Sequence, residues 1–132
     1  MTVIEMLKFM YPQDKANHYM RGALVAAVGA VAVYAIVTLV PALAAQRRLA
    51  LPLAIVGAVV AAYAAGRYKE WADARANAAA RALWLSTDQS APFVPPHGVE
   101  TADWQFTAWG ATPVVLVLAA QVAIDLLQGV LR

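Results

Sequence analysis

The chain contains no cysteine. Disulfides, thiolate metal ligands and a cysteine nucleophile are therefore excluded. Charge is also scarce: Asp, Glu, Lys and Arg make up 14% of the 132 residues, against about 25% in an ordinary soluble domain. Histidine occurs twice, at His18 and His97, so chemistry that needs several imidazoles has little to draw on. The formal net charge is only +2, and no basic stripe with interleaved aromatics occurs, which argues against a nucleic-acid partner.

What the chain has in excess is apolar surface. Hydrophobic residues make up 62% of it and the mean hydropathy is +0.60. Length alone fits one soluble domain, but this composition points to a membrane protein with the lipid bilayer as its first partner. Between Arg21 and Arg47 lie 25 residues without a charge. As a helix they reach about 38 Å, enough for a hydrocarbon core about 30 Å thick. Residues 49–66, "LALPLAIVGAVVAAYAAG", form a second charge-free run, and Trp104 to Ile124 form a third. The expectation is an all-α membrane protein: one domain over residues 1–132, with three transmembrane helices.

Local signals refine that picture. Pro41 is expected to bend the far end of span one, and Pro113 to kink or break span three. Span two runs into "RYKEWADARANAAARALW", rich in helix formers, so it is read as one extended second helix with a hinge at Gly66. "STDQSAPFVPPHGVE" is irregular loop. At the start, Glu5 and Lys8 interrupt the apolar run that a secretory signal requires. Residues 2–10 are instead read as an N-terminal interfacial helix, with Ile4, Met6, Leu7 and Met10 as its apolar side.

Three spans place the N-terminal segment, the span-two extension and the loop 86–100 on one side. The "AAQRRLALP" turn and the C-terminus fall on the other. Seven of the eight acids (Glu5, Asp14, Glu70, Asp73, Asp88, Glu100, Asp103), both histidines and all four tryptophans belong to the first side. So do seven of the ten basic residues, which favours a cytoplasmic position for this polar face. The compact Arg47-Arg48 pair argues the other way.

The polar residues each admit two readings. Asp14 and His18 are four apart and share a helix face; they form a ligand pair, or Asp14 caps the helix and His18 sits at the interface. Lys15 and Arg21 suit interface anchors. Glu70 and Asp73 share a face and form either a site wall or simple ion pairs, Arg67 with Glu70 and Lys69 with Asp73. Asp103 and Thr107 share a face, with Thr101 as a cap and Gly110 a turn later. Asp125 lies near the opposite boundary, and His97 carries little weight. Convergence of Asp14, His18, Glu70, Asp73 and Asp103 at one boundary would suit a hard divalent cation, Mg²⁺, Mn²⁺ or Ca²⁺, better than Zn²⁺. Without metal, the same acids pair with Lys15, Lys69 and Arg21 in a structural network.

The stretches "DKANH", "KEWAD" and "DWQFTAWG" resemble a loose group of small bacterial and phage membrane proteins with the pattern D-K-x-x-H, G-K-E-x-x-D and D-x-x-x-T-x-x-G, remotely similar to VanZ-like proteins. In this chain Arg67 and Tyr68 separate Gly66 from Lys69, a departure from that pattern. The resemblance implies that Asp14, Lys15, His18, Lys69, Glu70, Asp73 and Asp103 belong together in a bacterial inner-membrane protein. It supplies no activity.

Two functions remain open, and with them the question of catalysis. One is a polar, metal-binding site acting on lipid or envelope substrates, the metal polarising a phosphoryl oxygen or activating water. No phosphatase signature is present, and "KEWAD" is too sparse for a CDP-alcohol transferase. The other is a non-enzymatic assembly protein, phage holin-like or an accessory subunit, forming homo-oligomers or joining a larger membrane complex. Gly22, Ala26, Gly29, Gly57 and Gly66 would let helices approach closely, either between copies or within one chain. A pocket lined by the acids favours the first function. Small-residue faces buried against partner chains favour the second.

Overall fold

A computed structural model describes residues 13–98 and 102–130. The expected interfacial helix at residues 2–10, the capping role of Thr101 and the side chain of Asp14 lie outside the described residues. Helix α1 spans Gln13–Leu39, a 3-10 helix spans Pro41–Leu49, α2 spans Ala50–Leu85, α3 spans Ala102–Trp109 and α4 spans Thr112–Val130. No strand occurs among the described residues.

The chain turns where proline requires it. Val40, which precedes Pro41, is extended at φ −79° and ψ 117°, the conformation that proline imposes on its predecessor. Arg47 and Arg48 are exposed on the 3-10 segment that follows. Helix α2 then runs 36 residues without interruption. That is about 54 Å at 1.5 Å per residue, well beyond a bilayer core. The expected hinge at Gly66 is absent: the helix is continuous there, and Gly66 serves instead as a contact for α3. The third apolar run is broken at Gly110-Ala111. Pro113 has no N–H to give Trp109, so a continuous helix would lose a bond at this point; Gly110 N–H bonds back to Phe106 and Thr107. The expected break in span three is thus present.

By length and composition, three helical segments are able to cross a membrane: Lys15–Leu39, Pro41–Leu85 and Asp103–Gly129, with mean hydropathies of 2.3, 2.1 and 1.9. Their packing is built from small residues. Ala50, Ala54, Ala58, Ala62 and Gly66 form the buried stripe of α2. Of these, Ala54, Ala58 and Ala62 cluster with Ala26 and Ala30 of α1 and with Ala111. At Gly29 a Cβ would lie 2.8 Å from the carbonyl oxygen of Gly57, so the two backbones are nearly in contact. Large apolar side chains point outward; Leu24, Val31 and Val117 are 67%, 69% and 71% exposed. The small-residue faces that sequence alone left open to partner copies are thus filled within one chain.

Candidate functional site

The buried face of α1 continues from Ala30, Ala26 and Gly22 to His18 and Lys15. One seam therefore changes from small and apolar to polar at a single end. The same change occurs on α2, where Ala62 and Gly66 are followed by Lys69, Glu70 and Asp73. It occurs again where Asp103 and Thr107 of α3 lead into Gly110 and Ala111 of the turn that follows. Because α1 and α2 run antiparallel, the start of α1, the middle of α2 and the start of α3 meet at this end.

Lys15 forms an ion pair with Asp103, joining α1 to α3. The other carboxylate oxygen of Asp103 lies 3.4 Å from His18 Nε2. The opposite ring nitrogen, Nδ1, lies 3.5 Å from Thr107 Oγ1, and the Thr107 hydroxyl donates to the Asp103 carbonyl at 3.1 Å. Lys15, His18 and Thr107 are all buried. The imidazole thus sits between a carboxylate and a hydroxyl and ties α1 to α3 through both.

The α2 residues form a second group. Lys69 Nζ is 2.5 Å from Asp73, and Arg67 is 2.7 Å from Glu70. These are the two ion pairs that the spacing allowed. Arg67 also lies over Trp104 at 5.3 Å, and Trp104 packs edge-on against Tyr63. The loop after α2 returns along that helix. Trp84 Nε1 donates to the Ala91 carbonyl at 2.8 Å. Asn77 takes the His97 N–H at 3.0 Å and donates to its carbonyl at 2.8 Å. This places His97 Nδ1 3.8 Å from Asp73. His97, given little weight from sequence, thus lies against the site. Asn77, which holds it, has no motif that would have revealed it.

Two cavities open between these groups. A small one of about 10 Å³ is lined by Gly66, Lys69, Glu70, Asp73, Gly98, Asp103 and Trp104. A larger cleft of about 310 Å³ is lined by His18, Arg21, Leu24, Val25, Ala65, Lys69 and Thr107. Lys69 is the wall between them. Lys15, His18, Lys69, Glu70, Asp73 and Asp103 therefore all lie at one end, as expected, and the side chain of Asp14 is outside the described residues. All three acids border the small cavity, but each is held by its own base: Asp103 by Lys15 with His18 beside it, Asp73 by Lys69 with His97 beside it, and Glu70 by Arg67. Among the described residues no three His, Asp or Glu side chains are grouped to hold a metal ion. The metal set expected from sequence, Asp14, His18, Glu70, Asp73 and Asp103, is not assembled by them. No protein-family model, curated protein or solved structure matches the chain.

Proposed function

We propose that the chain is an integral membrane protein, a three-span bundle whose polar end forms a laterally open site for the head of a membrane amphiphile. The packing supports insertion. In water, large apolar side chains drive burial, and a core of alanines enclosed by exposed leucines and valines would be the wrong way round. In lipid this arrangement suits the solvent, and small residues provide the close helix contacts. Seven of the ten basic residues belong to the polar side by sequence, and on that basis we assign it to the cytoplasmic surface.

The observation that carries the reading is the shape and lining of the larger cleft. Its polar wall is His18, Arg21, Lys69 and Thr107, and its apolar wall is Leu24, Val25 and Ala65. Leu24 and Val25 lie one helical turn deeper than Arg21, and Ala65 one turn deeper than Lys69. The cleft therefore grades from polar to apolar along the bundle axis, as a lipid does from head to tail. The test is retained lipid. Protein purified in mild detergent is expected to carry co-purifying lipid by mass spectrometry, and His18→Phe, which fills the cleft, to reduce it. Equal lipid on both proteins would refute the reading. The small-residue seams are occupied within the chain, so they do not favour assembly through those faces.

A further inference from the structure

The charges around the cleft narrow the chemistry of the head it can take. Arg21 and Lys69 line the cleft and no acid does. Arg21 is exposed and makes no ion pair with an acid among the described residues. The Thr107 hydroxyl and the His18 ring add hydrogen-bonding groups. The neighbouring cavity has the opposite character, with Glu70, Asp73 and Asp103 around it. Size separates the two as well. The acidic cavity, at about 10 Å³, has room for about one water. The basic cleft, at about 310 Å³, is far larger than any water needs.

Lys69 is the shared wall, and Asp73 holds its ammonium on the acidic side at 2.5 Å. Lys69 is therefore partly neutralised, and Arg21 is the cation most available to a ligand. Guanidinium offers a planar fork of donors that matches two phosphate oxygens.

We propose that the cleft binds an anionic phospholipid drawn from the surrounding bilayer, its phosphate against Arg21 with Lys69 behind, and its first acyl carbons along Leu24, Val25 and Ala65. This inference rests on the amphiphile reading and adds the charge and the source of the ligand. Any interface cation attracts anionic headgroups weakly as they diffuse past, whereas a cleft that also seats the first acyl carbons keeps one lipid through extraction.

The experiment uses the full chain in nanodiscs of phosphatidylcholine doped with a minor fraction of phosphatidylglycerol. The two lipids that remain bound after gentle extraction are counted by native mass spectrometry. The wild-type chain is expected to enrich phosphatidylglycerol about fivefold over its bulk fraction, the scale of one basic group near a lipid surface. Arg21→Gln is expected to return the ratio to bulk. Arg75→Gln, an exposed cation over Trp71 on the α2 extension, is expected to leave the enrichment intact. Both residues are exposed, and circular dichroism confirms folding of both variants. Bound lipid without a preference, still lost in His18→Phe, overturns the anion inference and leaves the amphiphile reading standing. Equal loss in Arg21→Gln and Arg75→Gln overturns it as general surface attraction. Displacement of the bound lipid by millimolar inorganic phosphate overturns the bilayer as its source. Absence of any retained lipid removes both readings.

Discussion

Replacing Gly22 by alanine should force α1 and α3 apart. A Cβ built at Gly22 lies 1.8 Å from the carbonyl oxygen of Thr107, where ordinary contact begins at 3.4 Å. The shortfall is about 1.6 Å, and the obstacle is main chain, which has no rotamer to change. The junction has no slack from the other side either. Gly110 sits with its own virtual Cβ 2.2 Å from the Tyr19 carbonyl oxygen. The helices must therefore separate, and the His18 to Thr107 contact, already 3.5 Å, is lost. Overpacking of this kind costs about 1–3 kcal/mol. The control is Gly129→Ala, where a Cβ meets nothing within 4 Å and alanine favours helix by up to about 1 kcal/mol. Unfolding the purified protein in mixed micelles with increasing dodecyl sulfate reads the difference. Gly22→Ala should lose stability while Gly129→Ala holds or gains. Equal midpoints for the two variants would show that α1 and α3 do not approach as described.

Lys15→Met removes the cation from Asp103, and Asp103→Leu removes the acid. Each single change is expected to destabilise by about 1.5–3 kcal/mol, the range for a hydrogen bond to a charged group. The double variant should lose less than the sum, and additive losses in the same titration would deny the pair. Asn77→Ala removes both hydrogen bonds to the His97 backbone. Limited proteolysis should then cut the loop 86–98 faster, with the helical signal by circular dichroism unchanged. The Ser90 N–H and hydroxyl hold the Asp88 carboxyl below its ordinary range. A lowered carboxyl keeps its turn above the unfolded value and loses it only as pH falls through the lower folded value. NMR titration should find Asp88 below an ordinary aspartate, and Ser90→Ala should move it upward; a titration unaffected by Ser90→Ala would show that the bonds do not form.

The three long apolar helices were legible in the sequence because charge-free runs of membrane length carry their own signal. The breaks at Pro41 and near Pro113 were legible because a missing N–H acts locally. Gly66 was misread as a hinge because a glycine inside a helix looks the same whether it bends or packs. Only the position of Trp104, whose carbonyl oxygen would sit 2.8 Å from a Cβ at Gly66, distinguishes the two. The polar end was legible as a set of residues but not as a set of partners. Helical spacing gave the local pairs Arg67–Glu70 and Lys69–Asp73, whereas Lys15–Asp103 spans 88 residues of sequence and depends on how α3 docks. The basic cleft was hidden for a related reason. Arg21 reads as an anchor until Lys69, Thr107 and Ala65 are seen beside it. Asn77 and His97 sit in composition that marks them only as helix and loop.

The proposed insertion puts the start of α1 and the extension of α2 at one membrane surface and the Arg47-Arg48 turn at the other. The absence of native cysteine makes single-cysteine labelling clean. Asn17→Cys, Asn77→Cys and Arg47→Cys are made one at a time in oriented membrane vesicles and treated with a membrane-impermeant maleimide. Positions 17 and 77 are expected to label from one side and position 47 from the opposite side. Labelling of 17 and 77 from opposite sides, or of all three from the same side, would contradict it.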